Sequence, residues 1–177
     1  MDAIECILKR RSIRRYKPEL LAEGDLERII ELASWAPSWA NSQCVRYVAI
    51  TGSRKAQLAE FLGQGSKAIA VSQAPVVLAV CAIHGKSGVL PGRPGNDKGD
   101  AWTYFDCGGA VQTLCLAAFA LGYGTLQIGA FDYQGAAQLL DIPLDMELVE
   151  LVAVGYADID PAAPARLTVA ELLDHRD

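Results

Sequence analysis

The sequence predicts an α+β protein, a central sheet flanked by helices with one long central helix. Three features predict it. Two helical patterns precede the first strand pattern, which breaks the regular βαβ alternation of a doubly wound sheet. Residues 75–83 form an almost unbroken apolar run of strand length, as expected of a strand buried on both faces. Residues 102–121 form the longest helical stretch and are apolar nearly all round, which places that helix at the centre.

Taken in order, Asp2 is placed to cap a first helix whose Ile4, Ile7 and Leu8 recur at helical spacing. Gly24 and Asp25 open a second helix with Leu26, Ile29, Ile30 and Ala33 on one face, and Pro37 sits just beyond its end. Residues 45–51 are β-branched and aromatic and predict a strand, followed by a helix bearing Leu58, Phe61 and Leu62 that stops at Gly63-Gln64-Gly65. Residues 84–100 interleave five glycines with Pro91 and Pro94, and a stretch this long predicts a disordered segment or a mobile lid. After the long helix, Gly122 and Gly124 mark its end, and residues 125–130 and 148–154 read as strands around a short helix at 135–140. Thr168 and Glu171 have capping-box spacing for a last helix.

Length and composition bound the function. The 177 residues, 51% hydrophobic and 21% charged, are too apolar for disorder and predict a single domain over 1–177. No apolar run approaches the roughly 18 residues a membrane span needs, and the start lacks the basic-then-apolar order of a secretory signal, so a soluble, cytoplasmic protein is expected. The five cysteines are odd in number, sit in apolar surroundings and include no CxxC pair, which argues against a disulfide framework or a zinc site. A mean hydropathy of +0.19 is high for a small soluble monomer and points to apolar surface buried against a partner.

The formal charge of −5 is unevenly spread. Lys9, Arg10, Arg11, Arg14, Arg15 and Lys17 fall within nine positions that hold no acid, so an acidic chain carries one concentrated basic spot. In an extended segment, Arg10, Ser12 and Arg14 share one side, two guanidinium forks and a hydroxyl suited to a phosphate. The same residues also fit a solvated basic face. Overall acidity and the lack of a second basic stripe disfavour nucleic acid.

Pro37, Ser38, Asn41 and Gln43 form a second constellation, whose amides suit a ring with alternating donors and acceptors, or simply cap their own turn. Residues 124–130 offer small side chains where a flat ligand could approach the backbone, although glycine there equally marks a bulge. Arg166, alone, is an arginine near a helix start. His84 and His175 have no partner by spacing for a nucleophile, no metal-ligand cluster is seen, and no GxGxxG follows a strand. Any chemistry therefore belongs to a cofactor.

These pieces together resemble the FMN-dependent nitroreductase family. The resemblance runs from Arg10-Arg11-Ser12-Ile13-Arg14 through Ala36-Pro37-Ser38-Trp39-Ala40-Asn41-Ser42-Gln43, Ala74-Pro75-Val76-Val77 and Phe105-Asp106. It continues through Gly122-Tyr123-Gly124-Thr125 and Ile128-Gly129-Ala130-Phe131 to Pro164-Ala165-Arg166-Leu167. It implies a nitroreductase-like homodimer with FMN at the subunit interface. Arg10, Ser12, Arg14 and Arg166 would hold the phosphate and the adjoining flavin edge, with Arg11 acting through its backbone. Pro37, Ser38 and Asn41, beside Trp39 and Gln43, would reach the flavin of the other subunit. The Ile128-Gly129-Ala130 backbone would line the ring, with Ser66 as a further polar contact.

The resemblance implies ping-pong hydride transfer from NADH or NADPH to a small-molecule oxidant such as a nitro-aromatic or quinone, without a catalytic residue of the protein's own. Ene reduction, dehalogenation, flavin destruction and a non-enzymatic flavin-binding redox module are the alternatives. The chain departs from the family pattern at Cys44-Val45, where Pro-Trp is common, at Trp39, which replaces a small residue, and at Gly129, where some members carry glutamate.

Overall fold

A computed structural model describes residues 2–176. Met1 and Asp177, the ends of the expected unit, lie outside the described residues. In chain order the structure comprises α1 (Ala3–Lys9), α2 (Asp25–Ala33), β1 (Val45–Ile50), α3 (Arg54–Glu60), α4 (Ser66–Gln73) and β2 (Val76–Ile83). These are followed by β3 (Val89–Leu90), β4 (Arg93–Pro94), α5 (Trp102–Ala120), β5 (Gly124–Ile128), α6 (Tyr133–Leu139), β6 (Met146–Gly155) and α7 (Val169–Leu172).

The main sheet has the order β1-β2-β6-β5, and every neighbouring pair is antiparallel, which confirms the α+β reading. Along β2, alternate side chains face opposite layers, as a period of two demands. Val77, Ala79 and Cys81 meet Leu58 of α3, Val71 of α4 and Ala136 of α6, while Val76, Leu78 and Val80 meet Ile29 of α2 and Val111, Leu114 and Ala118 of α5. The sheet is thus covered on both faces. In the β2–β6 register Val80 lies opposite Glu150 but Cys81 lies opposite Leu148, so Val149 is an extra residue in a bulge. The bulge changes the facing of everything before it: Leu148 joins Leu151 on the α3–α4–α6 side.

Caps account for several boundaries. Asp2 accepts from the Glu5 amide at 2.8 Å to start α1, and Asp132 accepts from the Gly135 amide at 3.1 Å to start α6. The Thr168–Glu171 capping box is present, on a helix of only four residues. One helix, α4, is not in the sequence reading. Its eight residues carry a weak apolar pattern, and only Ala70 and Val71 are buried, so packing under the sheet rather than periodicity stabilises it.

One further expectation needs amending. The stretch 84–100 is not structureless: β3 and β4 pair as a small hairpin, and a 3-10 turn at Gly99–Ala101 leads into α5. The helix α5 is the expected long central helix, packed on the sheet along one side but not enclosed by this chain along the other. Asp106, Cys107, Ala110, Val111, Leu114, Cys115 and Ala118 are buried along one side, while Tyr104, Phe105, Gly108, Gly109 and Gln112 stay exposed along the other. No helix among the described residues is long and apolar enough to cross a membrane.

Candidate functional site

The basic segment leaves α1 in an extended path pinned to the edge of the sheet. Ser12 forms a parallel bridge with Thr125 of β5, Ile13 donates its amide to the Thr125 carbonyl at 2.9 Å, and Tyr16 bridges Ala157. Ile13 is buried, and it lies so close to Gly124 that an added Cβ there would stand 2.5 Å from Ile13 Cγ1. Glycine at 124 is therefore what lets the basic segment reach β5. With Ile13 turned inward, Arg10, Ser12 and Arg14 share the opposite side. Among the described residues neither Arg10 nor Arg14 has a side-chain hydrogen bond or an ion-pair partner. Arg11 differs, since its guanidinium turns back to the Leu8 and Arg10 carbonyls at 2.7 and 2.9 Å.

Bridged residues point the same way, so Ser12 and Thr125 lie on one face of β5 together with Gln127 and, one step past the strand, Gly129. That face looks toward α5, because Gln127 donates to Cys115 Sγ at 3.4 Å. The Thr125 hydroxyl is buried without a hydrogen-bond partner. At the far end, a Cβ added to Gly129 would meet nothing nearer than the Tyr133 hydroxyl at 3.8 Å, so the space before the strand end is open. Lys67 donates to the Ala130 carbonyl and brings the exposed Ser66, at the start of α4, to the same corner. From Thr125 to Ala130 an extended chain covers about 17 Å. A phosphate-sized cluster and an open surface for a flat ring thus occupy the two ends of one row.

The second constellation sits elsewhere. Residues 39–41 form a 3-10 turn, and Ser38 Oγ accepts from the Gln43 amide at 3.1 Å, so this serine does cap its own turn. Ala40, Asn41 and Gln43 have φ of 44°, 55° and 46°, left-handed conformations that cost non-glycine residues about 1 kcal/mol each. Pro37 and Asn41 are exposed; the Asn41 backbone amide donates to the Ser38 carbonyl at 3.0 Å, while its side chain has no hydrogen-bond partner among the described residues. Trp39 packs against Trp102 with ring centroids 5.3 Å apart and lies beneath Gly95 of the hairpin loop, where an added Cβ would approach Trp39 Cζ2 to 2.6 Å.

What holds the turn is a residue to which the sequence reading gave no role. Asp106 of α5, buried at 4% exposure, accepts from the Trp39 amide at 3.0 Å, from Ser42 Oγ at 3.2 Å and from Ser87 Oγ at 2.7 Å. Asp106 and Cys115 are nine residues apart on α5, about 13 Å along the axis. Within one chain the turn and the Arg10–Ser12–Arg14 row therefore stand apart, and no hydrogen bond joins them. Arg166 lies on the exposed segment before α7 and makes no hydrogen bond or ion pair with that row.

His84 has two carboxylate partners invisible to spacing, Asp100 on Nδ1 and Glu147 on Nε2. These contacts hold its pKa above the ordinary histidine value, against a small opposing effect of burial. Burial raises the thiol pKa of Cys44, Cys81, Cys107 and Cys115, the Cys107 value to about 12, so these are inert packing cysteines rather than nucleophiles.

Fold and groove define the class: an antiparallel-sheet α+β protein with a basic row and an open strand end along one edge. Residues 7–156 match the family model described as Nitroreductase family, and the chain belongs to this family of oxidoreductases. Among curated relatives, the NADH dehydrogenase of Thermus thermophilus is 30% identical over 182 residues, covering 88% of this chain and 87% of that one. The FMN reductase (NAD(P)H) of Bacillus subtilis is 29% identical over 187 residues, covering 99% of this chain and 74% of the relative. The solved structure of the NADPH:FMN oxidoreductase of Vibrio harveyi in complex with NAD+ superposes with a TM-score of 0.83 at 25% identity, covering 98% of this chain and 76% of that one.

Proposed function

We propose that the chain, as one domain, is an FMN-dependent NAD(P)H oxidoreductase that acts on nitro-aromatic, quinone or similar electron-poor small molecules. One observation carries the reading. Arg10, Ser12 and Arg14, unpaired and on one side, run onto the β5 face that ends at the open Gly129, with the orphaned Thr125 hydroxyl between them. Two unpaired guanidinium groups and a serine fit a phosphate dianion. The Gly129–Ala130 backbone, whose carbonyls already accept from Tyr133 and Lys67 and which carries no bulky side chain, fits a planar ring. Bound FMN would accept a hydride from NADH or NADPH and deliver it to the oxidant, which explains why the protein needs no triad of its own.

The residues of the chain then orient and enclose. Arg10, Ser12 and Arg14 would anchor the phosphate, the backbone at 128–130 would align the ring, and Ser66 would add a polar contact at its far end. The segment 84–100 would govern access as a cover. Gly129 leaves room where a longer side chain would crowd the ring, whereas Trp39 narrows the approach on the other side.

The site belongs to a homodimer in this reading. Pro37, Ser38 and Asn41 stand too far along α5 to meet the same chain's basic row, as a site shared between two subunits requires. Ile4, Ile7 and Leu8 of α1 are more than 60% exposed, and Phe105 beside Gly108 and Gly109 leaves a bare apolar face on α5. A second copy would cover both. Arg166 would join the phosphate site from the exposed C-terminal segment. The reading places the protein in the cytoplasm.

The absorbance spectrum of the purified protein, before and after anaerobic NADH or NADPH, tests this directly. A yellow protein whose flavin bands bleach is expected. Colourless protein that gains no thermal stability from added FMN would overturn the reading. Reoxidation by nitro, quinone, enone and halogenated compounds in stopped flow then identifies the oxidant class.

A further inference from the structure

The proposed function gives the carboxylate of the Phe105-Asp106 motif no task, and the structure supplies one. We propose that Asp106 is a positioning residue that sets the 38–43 turn and the Ser87 end of the hairpin loop in one rigid arrangement. The inference rests on the flavin reading, because it assigns those two segments to ring contact and to substrate cover.

Asp106 is the single charged side chain in the buried set of described residues, and every polar neighbour it has is a donor. The Trp39 amide reaches both of its oxygens, at 3.0 and 3.3 Å, and the hydroxyls of Ser42 and Ser87 converge on Oδ2. Cys44 Sγ lies 3.9 Å from the same oxygen. An acceptor-only group matched entirely to donors is the arrangement a carboxylate satisfies and an amide does not.

The placement of these donors shows what is being held. Trp39 and Ser42 flank Ala40 and Asn41, two of the three left-handed non-glycine residues of the turn, so the carboxylate clamps both sides of the strained part. Such conformations persist only where the surroundings over-determine them. Ser87, wholly buried, belongs to the other segment, four residues past β2. The Trp39 indole, lying under Gly95, forms a second link between turn and loop. One side chain on the most extensively packed helix therefore fixes the distance between the turn that would meet the flavin and the segment that would cover the substrate.

The test compares Asp106→Asn and Ser87→Ala with the wild type as dimeric holoprotein, by hydrogen exchange, FMN titration and steady-state kinetics. In Asp106→Asn, exchange should accelerate at least about tenfold in both 38–44 and 86–95, and the Kd for FMN should rise about tenfold, the scale of one charged hydrogen bond. The visible bands of the bound flavin should shift as well. In Ser87→Ala only 86–95 should loosen, with KM for the oxidant raised and kcat held, a split that a general loss of stability would not produce. Wild-type exchange in either segment of Asp106→Asn, or an even rise across the whole chain, would overturn the proposal. If Asp106→Asn does not fold, Ser42→Ala and Ser87→Ala decide: each should loosen its own segment, and unchanged exchange in both refutes the role. Absence of FMN binding by the wild type would remove the functional reading, while the exchange comparison still judges the clamp.

Discussion

The imidazole of His84, one residue past β2, bonds through Nε2 to the carboxylate of Glu147, the second residue of β6, while its other nitrogen bonds Asp100 at the far end of the hairpin loop. One ring thus ties both ends of the 84–100 segment to the sheet. The Tyr104 hydroxyl adds to the same Glu147 oxygen at 2.8 Å, and Thr103 and the Gly85 amide bind Asp100 at 2.7 and 3.1 Å.

Loop protection should therefore depend on pH. A neutral imidazole can donate through only one nitrogen, whereas the protonated ring donates through both. The Asp100 and Glu147 bonds raise the His84 pKa, so this stabilisation is complete below the ordinary value of about 6.5 and is lost as pH climbs through the elevated one. At the acid end, burial pushes the Asp100 pKa up, but the bonds from His84, Thr103 and Gly85 outweigh it and hold the value low. The Asp100 side of the clamp is therefore lost as pH falls through that depressed value. Hydrogen exchange of 85–99, corrected for intrinsic rates, should accelerate in the wild type as pH rises through the elevated His84 value, and lose that dependence in His84→Ala. A flat wild-type profile would dismiss the latch.

Arg14→Ala should weaken FMN binding without unfolding the protein, because the side chain is exposed and makes no hydrogen bond or ion pair among the described residues. A charged hydrogen bond contributes about 1.5–3 kcal/mol, which corresponds to a roughly 10- to 100-fold increase in Kd. Fluorescence titration of FMN into the apoprotein measures it. Unaltered flavin content in the purified variant would remove Arg14 from the phosphate site.

Gly124→Ala probes how the basic row is delivered to the sheet. The new Cβ would collide with Ile13 at 2.5 Å from Cγ1 and 3.0 Å from Cβ, atoms too close to the backbone to swing aside. The segment must then lift from β5, at about 1–3 kcal/mol for overpacking of this kind. Ser12 would lose its bridge to Thr125. Both the melting temperature and FMN affinity should fall together, and a loss of stability with FMN affinity retained would show that the bridge does not position the row.

The basic row could be seen in the sequence because its chemistry is local: period-two spacing and the absence of acids need no knowledge of the fold. The same holds for the apolar runs of β2 and α5 and for the glycines around β5. Asp106, His84 and Glu147 gave no such signal, since their partners lie 16 to 67 residues away and are brought near only by the tertiary fold. The helix α4 escaped notice because two buried residues in eight make no period. A half-buried carboxyl on a strand is still less visible.

Glu150 is that carboxyl, and it supplies the last prediction. Half-buried, it lies opposite Val80 at the edge of the bulge, on the face toward α5, where it makes no hydrogen bond among the described residues. Burial raises its pKa to about 7. For an acid this sign means that the folded state favours the protonated form: its contribution is most favourable below the ordinary value of about 4.5, declines as pH rises to about 7, and is flat and unfavourable above. Glu150→Gln keeps the shape and removes the charge. It should match the wild type near pH 4.5 and exceed it at pH 8 by about 1–3 kcal/mol, the upper figure reduced by partial solvent access. Urea denaturation of both proteins at the two pH values measures the difference. Equal stability at pH 8 would mean that the charged carboxylate is fully solvated where it sits, and that folding imposes no cost on its charge.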